Sequence, residues 1–269
     1  MDKAYSHRQW NELMPNPFFL FQLEYLSAAN IDPDELHVMH LGTSMYMLGS
    51  ILMLLCYHVL PKRPQANMRE VWKKLASYYK DGKVVCQFGN LTTNSFVTDT
   101  SAPHKHYPKL KGKGAEVRDL VWPMLEVWKQ LGRGHAQYDR ICQLLQHQVH
   151  MQSILHDNAE EVFLPKKDVH AFQREVCNFL KTYSLLANWA DRSKLFVFSV
   201  TIKFHYMYHM GLRAEHLNPR LGCTMIDEDF VGRCKHVVAA CANATEAHVV
   251  PEKFAERYIW GKYIVLSSA

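Results

Sequence analysis

A mainly α fold is predicted by three features of this sequence. Apolar residues recur at helical spacing along most of the stretch from Gly114 to Leu186. Leu41 to Leu60 runs for twenty residues without Asp, Glu, Lys or Arg, far longer than a strand. Helix-stopping residues stand between the periodic stretches: Pro61 and Pro64, Asp81-Gly82, Gly132 to Gly134 and Leu164-Pro165.

The elements follow in order. Trp10 to Ile31 is aromatic and apolar, broken by Pro15 and Pro17; within it Phe18-Phe19-Leu20-Phe21 suits a short buried strand or a helix start equally well. Asn30-Ile31-Asp32-Pro33-Asp34 reads as a turn and helix start, because Pro33 disfavours helix at Asp32 and either acid can cap. The helix that follows continues through about Leu60. Its length would suit a membrane span, but Gly42, Thr43, Ser44, Gly49, Ser50 and His58 interrupt it, and a buried core helix is the better reading.

Met68, Val71, Trp72, Leu75 and Tyr79 place a helix over 66–80. Val84 to Pro108 is rich in Thr, Ser, Asn and Gly and reads as the longest loop, partly disordered. Three helices are then expected, on the faces Val117–Trp128, Ile141–Leu155 and Val169–Leu186. Leu195 to Ile202, rich in Phe, Val and Ile, has strand propensity, and its continuation through His209 is helical. A helix starts near Asp227 and runs to about Ala242; a short one begins at Pro251.

The chain's 269 residues suffice for one large domain or two small ones. With 31 basic and 26 acidic residues, the net charge of +5 permits nucleic-acid contact without demanding it. Seven scattered cysteines, none spaced C-x-x-C, and a polar start lacking a signal-peptide core favour a reducing compartment, nuclear or cytoplasmic. No Gly-rich phosphate loop and no G-x-S-x-G elbow is present, so P-loop, dinucleotide and α/β-hydrolase chemistries find no support.

Two acidic motifs carry the functional reading. Asp34-Glu35-Leu36-His37 runs into Leu41-Gly42, and Glu228-Asp229-Phe230-Val231-Gly232-Arg233-Cys234-Lys235 opens a helix far downstream. Converging carboxylates suit a pair of Mg²⁺ or Mn²⁺ ions, one activating the attacking oxygen and one stabilising the leaving oxygen.

With these residues the chain resembles the C-terminal part of CACTA-type and related eukaryotic DDE transposases over roughly residues 30–245. Asp34-x-x-His37 with Gly42 matches the motif around the second catalytic acid. Glu228, with Gly232 and Lys235, matches the last acid and its helix, and Asp227 or Asp229 can replace Glu228 in that role. Leu110-Lys111-Gly112-Lys113, Glu116-x-Arg118 and His205-x-x-x-His209 are similar to features of the family's all-helical insertion.

The resemblance implies a helical insertion-type domain with partial RNase H-like remnants. It divides the chain into an N-terminal segment with a partial core remnant (1–33), a helical transposase-like region (34–245) and a C-terminal tail with a short helix (246–269). It names Asp34 and Glu228 as catalytic remnants and ligands of Mg²⁺ or Mn²⁺. Only 33 residues precede Asp34, and neither Asp2 nor Asp32 suits the family's first catalytic Asp. The expectation is therefore a transposase-derived protein inactive alone, with a second chain needed to supply the missing core. DNA is the expected partner, and no membrane.

Plainer readings stand beside each site. Asp34 can be a helix N-cap and Glu228 a first-turn acid favoured by the helix dipole. His37 can be a packed histidine orienting the carboxylate loop. His205 and His209, at i and i+4, share a helix face and can bind zinc, although a hydrogen-bonded structural pair is the preferred reading. The segment His104 to Lys113 carries Lys105, Lys109, Lys111 and Lys113; with Arg118 it suits a flexible basic loop that touches phosphates without reading bases. A non-catalytic helical DNA-binding or scaffold protein using this loop is the alternative function, and an ordinary solvated loop the plain reading.

Overall fold

A computed structural model describes residues 32–80, 84–99, 101–243 and 246–267. Phe18–Phe21 and the segment before Asp32 lie outside the described residues. Every regular element described is helical, and no strand occurs among the described residues, as a mainly α chain requires.

The first helix, α1 (Leu36–Val59), is the axis of the fold. Met47, Leu48, Ile51, Leu52, Leu54 and Leu55 are all fully buried, so the helix is enclosed on every side. It is long and apolar enough to cross a membrane, but 89% of its apolar window is buried inside the protein. Its winding changes along its length. Leu36–Ser44 and Leu55–Val59 are π-helical and Met45–Leu54 is α-helical.

Against α1 pack α2 (Pro64–Tyr79), α3 (Gly114–Leu131) and, beyond α4 (Tyr138–Asp157), which packs on α3, and α5 (Lys166–Arg192), which packs on α4, the last helix of this unit, α6 (Ile202–Arg213). Pro64 opens α2 at the position where its missing N–H costs nothing. The side chain of Glu116 accepts the Lys113 N–H at 2.8 Å and satisfies one of the orphan donors at the start of α3. Trp128 of α3 and Tyr183 of α5 are the largest fully buried side chains. Each such burial stabilises by about 1.5–3 kcal/mol. The most extensive helix contact joins α4 to α5, where His147 Nδ1 meets Glu175 Oε2 at 2.7 Å.

Some expectations are corrected. Val84 to Pro108 is irregular, with short 3₁₀ turns at Thr93–Ser95 and Pro103–Lys105, yet it is packed: Val84, Phe88, Leu91, Phe96 and Val97 are buried. Its apolar residues are too irregularly spaced to show a period, but they suffice to hold the segment on the helices. Leu195–Ile202 is not a strand. Val197 and Phe198, adjacent in sequence, are both buried, without the alternation of a half-buried strand. Phe198 takes a left-handed conformation (φ 57°), and its N–H donates to Ser50 Oγ at 2.8 Å where a strand would need a neighbour.

The chain divides into two compact units, one ending at Gly222 and the other beginning at Cys223. The second holds α7 (Met225–Ala242) and α8 (Val250–Ser267), which meet through Phe230 and Tyr258 with ring centroids 5.8 Å apart. α8 is eighteen residues long, not the short helix expected after Pro251.

Candidate functional site

The π-helical start of α1 sets the geometry of the first acidic motif. Asp34 precedes the helix; its Oδ1 accepts the Leu36 N–H at 2.9 Å and its Oδ2 pairs with His37 Nδ1. Asp34 thus acts as a cap, and His37 orients its carboxylate. The next residue turns inward. Glu35 is 2% exposed, and its Oε1 lies 3.0 Å from Nε2 of the fully buried His40. Five residues separate the two. An α-helix would set them well apart around its axis, whereas the i to i+5 repeat of a π-helix brings them onto one face. The second oxygen, Glu35 Oε2, is buried without a hydrogen-bond partner, and so is His40 Nδ1.

Glycines let neighbouring elements reach this segment. A Cβ at Gly42 would come within 2.7 Å of the His37 carbonyl oxygen in α1 itself and 3.3 Å of Lys203 Cβ, so α6 passes close to α1 at this position. A Cβ at Gly114 would lie 2.0 Å from Leu36 Cδ1, which seats the start of α3 directly on the start of α1. One turn further along α3, Arg118 Nε donates to Asp119 Oδ1 at 2.6 Å, and the Cys86 N–H donates to Asp119 Oδ2 at 2.9 Å. Burial opposes the charge of Arg118, but the bond to Asp119 and the nearby carboxylates of Asp119 and Glu35 outweigh it. Its pKa therefore lies above the ordinary guanidinium value.

These side chains line a cleft of about 480 Å³ whose wall includes Glu35, Arg118, Asp119, Trp122, Gln152, His156 and Arg220. Gln152 reaches across from α4 to the Arg118 carbonyl, donating at 3.2 Å. Pro123 within α3 removes the N–H that would have bonded the Asp119 carbonyl. The cleft offers a buried carboxylate acceptor beside two guanidinium groups and an indole. That combination suits a ligand bearing both N–H donors and negative charge.

The basic segment lies elsewhere and is held down. The N–H groups of Lys109, Leu110 and Lys111 donate to the carbonyls of Phe96 (2.9 Å), Met45 (3.0 Å) and Ser95 (2.7 Å). A Cβ at Gly49 would come within 3.0 Å of the Pro108–Leu110 backbone, so the strap lies flat against α1. The flexible loop expected from the sequence is thus a fixed strap. Lys105, Lys109, Lys111 and Lys113 are all exposed on it. Lys109 Nζ stands 5.6 Å above the Tyr46 ring, and Lys111 Nζ donates to the Asn94 carbonyl at 3.2 Å.

The second motif belongs to the second unit. Asp227 and Glu228 occupy the first turn of α7, where acids favour the helix dipole, and the Glu228 N–H donates to the Thr224 carbonyl at 2.8 Å. Gly232 has open space where a Cβ would sit, and Lys235 is exposed. Among the described residues no three His, Cys, Asp or Glu side chains converge as a metal ion would require. Asp34 has both oxygens engaged, Oδ1 by the Leu36 N–H and Oδ2 by His37.

Glu35, Asp119 and Gln152 of the cleft, and His40 behind Glu35, are residues that sequence reasoning passed over. Glu35 and His40 become visible only if the helix is read with a five-residue repeat. Asp119 sits beside Arg118 in sequence, but nothing in the sequence ties it to Cys86. Comparison with protein-family models, with characterised proteins and with solved structures finds no match for this chain.

Proposed function

We propose that this chain is a transposase-derived helical protein that binds nucleic acid through its basic strap and transfers no strands by itself. In this reading residues 34–245 are a mainly helical transposase-like region, its insertion-type helical domain lying between Asp34 and Glu228 and flanked by remnants of an RNase H-like core. Asp34 and Glu228 mark the positions of ancestral carboxylates.

The strap is the observation that carries the binding half. Four exposed lysines lie within nine residues of a backbone pinned to α1 and to the 93–97 segment. Lysines carried on a fixed backbone meet a phosphate backbone without first ordering a loose loop. What supports the ancestry is the order of the motifs and the Asp34–His37 pairing within the first of them.

The binding test is fluorescence anisotropy of a labelled duplex across a salt series. The comparison is between the intact protein and a variant with Lys105, Lys109, Lys111 and Lys113 changed to Ala. Affinity should fall with salt, and the variant should lose about 0.9 from the log–log slope for each phosphate contact removed. A slope identical in the two proteins would sink the assignment.

The ancestry is probed separately by Mg²⁺ and Mn²⁺ titration of thermal stability, beside Asp34→Ala and Glu228→Ala. No response is expected in any of the three. A saturable stabilisation lost in both variants would place the two acids in one metal centre and restore the catalytic reading. A helical DNA-binding scaffold of other descent would pass the first test equally, so only metal binding separates surviving ancestral chemistry from binding alone.

A further inference from the structure

His205 and His209 stand on successive turns of α6, exposed to solvent, with ring centroids 4.4 Å apart and planes at 84°. Their Nε2 atoms are 3.0 Å apart. We propose that this pair is a chelating site for a borderline divalent transition metal, Cu²⁺, Ni²⁺ or Zn²⁺.

The geometry favours it. Metal–imidazole bonds of about 2.0–2.1 Å set two nitrogens roughly 2.9 Å apart at a right angle and roughly 3.3 Å apart at a tetrahedral angle. The observed 3.0 Å falls between these, so the two nitrogens already stand at chelating separation, and an ion enters once the rings turn to aim both lone pairs at it. Without metal, one Nε2–H donates to the other ring's Nε2. Binding needs both lone pairs, so the donor ring moves its proton to Nδ1 and the pair keeps its charge.

The opposite side of α6 fixes the frame. Phe204, Met207 and Met210 are buried, so the helix that carries both imidazoles is already ordered. Among the described residues no third His, Cys, Asp or Glu joins the pair. The remaining coordination positions are left to water or to a donor from outside. Imidazole nitrogen suits borderline ions, whereas Mg²⁺ prefers oxygen. The site is thus distinct from the carboxylate chemistry tested above and does not depend on that reading.

The test is calorimetric titration of the whole chain, prepared without a histidine tag, with Cu²⁺, Ni²⁺, Zn²⁺ and Mg²⁺. His205→Ala and His209→Ala are compared with His170→Ala, an exposed histidine on α5 that controls for background among the sixteen. One equivalent of Cu²⁺ or Ni²⁺ should bind saturably, more tightly than Zn²⁺, with no response to Mg²⁺. Either site substitution should weaken binding about a hundredfold, because it removes the second, intramolecular ligand. His170→Ala should bind as the unaltered protein does. Equal affinity in the site variants and the control, or no saturable equivalent in the unaltered protein, overturns the proposal. Both substitutions are on an exposed helix face and replace His with a stronger helix former, so a folding defect does not confuse the result.

Discussion

Glu35 and His40 hold each other inside the protein, Oε1 to Nε2 at 3.0 Å, each nearly inaccessible to water. Each also keeps one buried polar atom without a partner. Removing one member strands the other. His40→Ala should therefore destabilise the fold by about 2–3 kcal/mol, and Glu35→Ala by a similar amount. The double variant should cost clearly less than the sum, because it leaves no stranded partner. Urea unfolding of the four proteins measures this coupling; strict additivity would mean that the pair does not interact.

The start of α3 depends on the absence of a single methyl group. A Cβ at Gly114 would sit 2.0 Å from Leu36 Cδ1, and Leu36 is itself 1% exposed. Gly114→Ala should cost about 1–3 kcal/mol through overpacking, despite alanine's better helix propensity. Leu36→Ala carries its own cavity cost, but in that background Gly114→Ala should cost less, because the clash is with the leucine's end carbon. If Gly114→Ala is neutral in chemical denaturation, the close approach of α1 and α3 is wrong.

Legibility in the sequence followed the physical range of the signal. The faces Val117–Trp128, Ile141–Leu155 and Val169–Leu186 were readable because α-helical periodicity is local, and α3, α4 and α5 cover them. Leu195–Ile202 misled because propensity there was overridden by tertiary contacts, above all the bond from the Phe198 N–H to Ser50, 148 residues away in sequence. The basic strap was visible as composition but not as a fixed element. Its anchors, Lys109 to Phe96 and Leu110 to Met45, are backbone bonds that leave no trace in side-chain type. The cleft was half legible. Arg118 is legible from its charge, while Glu35 and the His40 behind it stay hidden behind a π-helical repeat that a 3.6-residue reading cannot register.

His135 supplies an acid-sensitive point. It packs edge-on against Trp128 and Trp189, and its Nδ1 accepts the Gln137 N–H at 3.2 Å. Burial lowers its pKa below the ordinary 6.5. A depressed folded pKa means that the unfolded chain takes up the proton first. The contribution to stability is therefore complete above about pH 6.5 and is lost as pH falls through the folded value. In thermal melts, His135→Gln should flatten the decline below pH 6.5 relative to the unaltered protein. Parallel curves would exclude His135 as a source of the acid slope.

Two acids on the apolar side of the fold act at the other end of the pH scale. Burial pushes the Cys56 thiol from 9.0 up to about 12 and, as the largest of several influences, the Tyr79 hydroxyl from 10.0 up to about 12. Both are deprotonated more readily in the unfolded chain. Their stability contribution is full below pH 9 and declines as pH rises toward 12. Cys56 should resist a thiol-specific reagent at pH 8 while the exposed Cys177 reacts. Equal labelling of the two in the native protein would show that α1 is not enclosed.

Asn67 fastens the C-terminal end of α1 to α2. Its Nδ2 lies 2.8 Å from the Cys56 carbonyl oxygen, 3.0 Å from that of Leu60 and 2.7 Å from that of Lys62, while its Oδ1 accepts the Lys62 N–H at 3.1 Å. Two amide hydrogens thus serve three carbonyls at the end of a helix, where carbonyls have no helical donor. The residue is fully buried, so water cannot replace it. Asn67→Ala should cost about 2–3 kcal/mol. Asn67→Asp keeps the shape but turns both donors into acceptors and sets a carboxylate against the same three carbonyls, so it should cost more than alanine does at pH 7. The difference should shrink in acid, as the carboxyl is protonated and regains one donor. Equilibrium unfolding of both variants at pH 7 and pH 4 checks the order. If aspartate is no worse than alanine at pH 7, the staple does not work through its donors.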